Sequence, residues 1–110
     1  MRNYFNRFVF LSFLLPMWCG AASTNNSGQL ISTVQYHGTK KDLYFKTVDG
    51  TWKTDGCNPT YVHVKPTIEG QKEILSIGLA AKMSGKKVWF IGDCASHSTN
   101  YFEAYYIVVM

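Results

Sequence analysis

Beyond position 7 the 110-residue sequence contains no arginine. Nucleic-acid surfaces rely on arginine for bidentate phosphate contacts, and the longest basic runs here are two residues, Lys40-Lys41 and Lys86-Lys87. A nucleic-acid partner is therefore not expected. A long apolar run is also missing. The stretch from Phe8 to Leu15 is too short to cross roughly 30 Å of hydrocarbon, so no membrane span is expected in the processed chain. Ligand spacing for a metal is lacking too: such a site would want its histidines grouped with cysteines or acids at short spacing, and His37, His63 and His97 stand 26 and 34 residues apart. There is no internal repeat, linker or low-complexity tract, and no recognisable catalytic motif. No cofactor, metal or enzymatic activity is expected.

What is present starts with an address label. Arg2 and Arg7 form a positive n-region, Phe8 to Leu15 an apolar h-region broken by Pro16, and Cys19-Gly20-Ala21-Ala22 a small-residue cleavage region. Residues 1–22 thus read as a secretory signal, with cleavage after Ala21 or Ala22, and residues 23–110 as one domain. Bulky Trp18 before Cys19 argues against a lipoprotein. Removal of both arginines leaves nine lysines against seven acids, a net charge near +2. Cys19 leaves as well, so Cys57 and Cys94 remain as an even pair in an exported chain, where a disulfide is the natural state. Closing that loop of about 38 residues stabilises by roughly 4 kcal/mol in the chain-entropy model. Such a bridge matters to a domain this small, which builds only a marginal core. The expected location is secreted or periplasmic.

Taken in order, Ser23 to Ser27 is polar and reads as a flexible start. Gln29 to Tyr36 is a β-rich first strand, and His37 to Lys41 a turn in which Gly38 is available for a positive φ. Asp42 to Val48 forms a second strand, with Tyr44 and Lys46 on one face and Leu43, Phe45 and Thr47 on the other. Asp49-Gly50 is a hairpin signal leading to Thr51-Trp52-Lys53, which either pairs back or begins a loop. Thr54 to Thr60 is a loop around Cys57. Tyr61 to Lys65 alternates as a third strand, stopped by Pro66. A helix of about 20 Å spans Gln71 to Ser84. Its apolar residues Ile74, Ile77 and Ala81, with Leu75 and Leu79 beside them, recur at helical spacing. Gly78 inside it is read as a point of close approach to the sheet, and Gly85 as a left-handed C-cap. Lys86 to Ile91 is the fourth strand and Tyr101 to Val109 the last. The order β-β-β-α-β-β implies a mainly β domain with one helix. Its two candidate architectures are a small oligonucleotide/oligosaccharide-binding (OB)-like barrel and an open five-stranded antiparallel sheet packed on the helix.

The run Leu79-Ala80-Ala81-Lys82-Met83-Ser84-Gly85-Lys86-Lys87-Val88, followed by Cys94 and an aromatic final strand, resembles a group of small exported bacterial proteins of unassigned activity. More distantly, Ser27-Gly28 before the first strand, Tyr36-His37 at its end, Tyr44-Phe45 in the second and the Ser84-Gly85-x-x-Val88 exit are similar to B subunits of the subtilase-cytotoxin type. That resemblance implies an OB-fold, glycan-binding module, and it implies that Ser27 helps hold the sugar. The chain is shorter than those subunits and carries a single cysteine pair.

Aromatic residues supply the remaining candidates. Phe45, Phe90 and Phe102 are assigned to the core. On the fourth strand Val88 and Phe90 share one face and Trp89 and Ile91 the other, so Trp89 points away from the helix. Tyr36, Trp52 and Trp89 join Ser27 as ligand-binding candidates, with Trp89 a stacking platform for sugar, part of a subunit interface, or simply half-buried under a loop. The three histidines read as surface or loop residues, His63 exposed opposite Val62 and Val64. Asp93 with Glu103 or Asp49 is the weak candidate for a hydrolytic carboxylate pair. The favoured expectation is an exported non-enzymatic module binding a glycan or a protein. The alternative is a periplasmic or cell-surface interaction protein that self-assembles as a homo-oligomer through its aromatic strands.

Overall fold

The computed structural model describes residues 21–110; apart from Ala21 and Ala22, the signal segment, Cys19 included, lies outside the described residues. Six strands and one helix follow in the order β1 (Ala22–Ser23), β2 (Ile31–His37), β3 (Asp42–Thr47), β4 (Tyr61–Val64), α1 (Gln71–Ser84), β5 (Val88–Cys94) and β6 (Tyr101–Val109). They build one sheet in the spatial order β1-β5-β6-β4-β3-β2. All pairings are antiparallel except β4 with β6, which is parallel, so the sheet is mixed.

Of the two expected architectures, the molecule has the open sheet packed on a helix. The sheet is not closed into a barrel, for a visible reason. The hydrogen-bonding edge of β5 that a closing strand needs is occupied by β1, which pairs Ala22 with Gly92 and Ser23 with Ile91. Only a single bridge, Gln29 to Val88, joins the segment before β2 to β5. This also corrects the flexible start expected at Ser23 to Ser27. Thr24 is buried, its backbone N–H donates to the Phe90 carbonyl at 2.9 Å, and its hydroxyl accepts the Phe90 N–H at 2.9 Å. β2 begins at Ile31 and not at Gln29 because Gln29 is drawn to β5 and binds Asp49 and Thr51 through its side-chain amide. β5 runs past Ile91 to Cys94, over a register shift after Ile91.

The helix has the expected bounds. Gly85 adopts φ 70°, and the N–H groups of Gly85 and Lys86 bond the carbonyls of Lys82 and Ala81. Its buried stripe is Gln71, Ile74, Gly78 and Ala81, at steps of three, four and three. Ile77, expected inside, is 42% exposed, because the stripe is rotated to put Gly78 against the sheet. A Cβ on Gly78 would overlap the Phe45 ring. The bare backbone lets the helix lie directly on the core residue below. Gln71 ties the helix start down: its amide donates to the Val64 carbonyl at 2.9 Å and the Lys41 carbonyl at 2.6 Å. In the turn after β2, Lys41 takes the positive φ of 60° and Gly38 does not. His37 Nδ1 accepts the Lys40 N–H there, and the His37 carbonyl accepts that of Lys41.

Between helix and sheet lie Leu43, Phe45, Val62, Val64, Val88, Phe90 and Phe102, all fully buried. The segment after Asp49-Gly50 does not pair back. It drops Trp52 into this core, edge-on to Phe90 at 5.2 Å, with its indole N–H donating to the Phe45 carbonyl at 3.0 Å. Cys57 and Cys94 form a disulfide with Cα atoms 6.1 Å apart, fastening that loop to the end of β5.

Candidate ligand-binding face

Alternation along three strands buries Leu43 and Phe45, Val62 and Val64, and Phe102 and Ala104 on the helix side. The same alternation therefore turns Asp42, Tyr44 and Lys46 of β3, Tyr61 and His63 of β4, and Tyr101 and Glu103 of β6 to the opposite face. Registry sets them in rows. Tyr44 stands opposite His63, which stands opposite Glu103, and Tyr61 stands opposite Tyr101. The edge strand β2 adds Thr33 beside Lys46 and Gln35 beside Tyr44.

The rings form one continuous cluster. Tyr44 stacks on His63 with centroids 4.8 Å apart, and Tyr61 stacks on Tyr101 at 5.4 Å. Tyr44 meets Tyr61 edge-on at 5.8 Å, and His97, from the loop before β6, stacks on Tyr101 at 6.0 Å. The Lys46 ammonium lies 5.6 Å from the Tyr61 ring centroid, within cation–π range. Gln35, Tyr44, Tyr61 and Tyr101 line a shallow depression of about 210 Å³. That is smaller than the roughly 300–1,000 Å³ of an enclosed small-molecule pocket, so the face can be laid against and does not engulf.

Charge on this face is mostly paired. His63 is not freely exposed as expected: its Nε2 lies 2.9 Å from the Asp42 carboxylate, with the side chain 14% exposed. A carboxylate only accepts, so Nε2 carries the proton. Lys65 Nζ lies 3.3 Å from Glu103. Burial pushes the Tyr44 phenol above its ordinary value of 10.0, with the Asp42 carboxylate and Tyr101 acting in the same direction. Tyr44 is thus held as a neutral hydroxyl.

The residues singled out from sequence do not converge. Trp52 is 0% exposed and offers a ligand no ring face. Trp89 does point away from the helix, but it is half-buried beside β1, in a hollow shared with Ser23, Asp55 and Ile91. It lies opposite Val108, seven residues along β6 from Tyr101 and therefore about 20 Å away. Tyr36 is exposed near the end of β2, and with Gln35, His37 and Tyr44 it borders a second depression at the sheet edge. Ser27 sits in the turn before β2, its hydroxyl 2.7 Å from the Asn25 side-chain oxygen. Asp93 and Glu103 are cross-strand neighbours, while Asp49 accepts from Gln29 elsewhere. Among the described residues no three His, Cys, Asp or Glu side chains are grouped to hold a metal, and no helix is long and apolar enough to cross a membrane.

The face that sequence reasoning missed had a local signal: the pairs Tyr44/Lys46, Tyr61/His63 and Tyr101/Glu103, each two residues apart with large apolar residues on the alternate positions. The signal shows which way each strand faces but not that the three strands are neighbours. No protein-family model matches the chain, and none of the curated proteins and none of the solved structures matches it.

Proposed function

We propose that the chain is an exported, non-enzymatic binding module that takes a glycan on the outer face of its sheet. The observation that carries this reading is the uncovered cluster of Tyr44, Tyr61 and Tyr101, bordered by Gln35, Lys46 and the His63–Asp42 pair. Sugar rings present C–H faces that pack on aromatic rings, and hydroxyls that need donors and acceptors at the rim. The Cys57–Cys94 bridge supports a secreted or periplasmic setting. Kinship with toxin B subunits and a partly open OB topology belong to the same proposal. They are supported by the Ser27-Gly28 turn entering the first long strand, and by the meeting of the two sheet ends at Gln29 and Val88.

A glycan array followed by titration calorimetry tests it. The wild type should retain at least one glycan class, and Tyr61→Ala or Tyr101→Ala should weaken binding by at least about tenfold, one lost stacking platform. Silence across the array at high protein concentration would overturn the sugar reading. A second reading, an interaction protein, is favoured by the apolar outward side of α1, where Leu79 is 40% and Met83 85% exposed.

A further inference from the structure

The two edges of the sheet are treated differently by the chain. β5 is covered along its outer edge by β1, whereas β2 is the last strand on its side. An edge strand presents alternate N–H and C=O groups to solvent, and sheets usually blunt such an edge with charge, proline or strong irregularity. β2 reads Ile-Ser-Thr-Val-Gln-Tyr-His, with no lysine, arginine, acid or proline among its seven residues. One register shift, between Ile31 and Thr33, is its single irregularity. Ser32, Gln35, Tyr36 and His37 are exposed.

We propose that this edge takes a second copy of the same chain, paired β2 to β2 in antiparallel fashion about a twofold axis. Charge selects the occupant: a strand without formal charge meets its own copy without repulsion, where a charged peptide would gain nothing from it. Length sets the register. Centring the axis on Val34 pairs the stretch from Ser32 to Tyr36, clear of Gln29 and its bridge to Val88, and sets Thr33 of each copy opposite Gln35 of the other. Both residues lie on the outer face, since Thr33 registers with Lys46 and Gln35 with Tyr44. Gln35, Tyr36 and His37 of this strand border a depression with Tyr44 of β3. In the proposed register the second copy's Thr33 stands beside Gln35 at its border, so the outer face becomes one surface running across both chains.

The test uses the wild-type chain without ligand, so its outcome is independent of what the face binds. Sedimentation over a wide concentration range should give a two-chain mass. Thr33→Lys/Gln35→Lys sets two like-charged pairs across the axis and should weaken the dimer by at least about tenfold. Mixing it with Thr33→Glu/Gln35→Glu should restore a two-chain mass. A single-chain mass at every concentration, a higher oligomer, or a dimer indifferent to the lysines would overturn the proposal. Amide hydrogen exchange of the wild type needs no variant: alternate amides between Ser32 and His37 should slow as concentration rises, and rates independent of concentration would count against it.

Discussion

A methyl group at Gly78 would overlap the Phe45 ring, so this residue sets how closely helix and sheet approach. Helix propensity alone makes alanine about 1 kcal/mol better than glycine in a helix interior. Overpacking a filled site costs about 1–3 kcal/mol, and Phe45 is wedged against Phe90 at 5.3 Å with little room to yield. Gly78→Ala should therefore lose about 1 kcal/mol in urea unfolding, and a gain in stability would mean that the helix simply lifts. Tyr44 gives a second prediction at this scale. Its folded-state phenol titrates above the ordinary value, so the unfolded chain releases the proton first as pH rises. The stability it contributes is complete below about pH 10 and is lost as pH climbs through the raised folded value. Tyr44→Phe should flatten this alkaline loss in denaturation curves recorded between pH 9 and 12 (about the phenol range), and an unchanged slope would assign the loss to other groups.

The elements divide by how local their causes are. The bounds of the helix are legible to the residue, because the apolar spacing, Gly85 and the flanking lysines are all within one segment, whereas its buried stripe is not, since contact with Phe45 rotates Gly78 inward and Ile77 out. The faces of β3, β4 and β5 were legible for the same reason: alternation alone buried Phe45, Val62 and Phe90 and turned Tyr44 and Trp89 outward. The parallel pairing of β4 with β6 was not, since it joins strands separated by the helix and β5, and nothing at either strand announces it. Trp52 reads as a ligand-binding candidate because it stands between turn formers with either a strand or a loop to follow, and only the tertiary fold shows the indole buried and meeting Phe45. That loop depends on its tether. Replacing both cysteines, Cys57→Ser/Cys94→Ser, removes a constraint worth about 4 kcal/mol in the chain-entropy model. It also frees the segment that delivers Trp52 to the core. The expected loss is about 2–5 kcal/mol, read as a lower urea midpoint, and a loss under about 1 kcal/mol would mean that packing alone holds the loop.

At the scale of the whole molecule the distribution of charge decides what kind of ligand the outer face can hold. From residue 21 onward the chain has nine lysines and seven carboxylates, a surplus of two, with no arginine. On the face itself Lys65 is engaged with Glu103, and His63 with Asp42, while Lys46 lies along the Tyr61 ring. A surface so neutralised holds no stripe of positive potential for a polyanion to displace counterions from. Binding that rests on ring stacking and hydroxyl hydrogen bonds is short-ranged and barely screened, whereas each phosphate contact contributes a salt slope near unity. The affinity of the proposed glycan should therefore change by less than about threefold when salt is raised tenfold, while each phosphate contact of a nucleic acid would cost nearly tenfold over the same range. Lys46→Ala should leave that salt response flat and lower affinity only modestly, since its cation–π contact is worth about 0.5–1 kcal/mol at an exposed site. A steep salt dependence that disappears in Lys46→Ala would mean that one cation, and not the tyrosine cluster, captures the ligand.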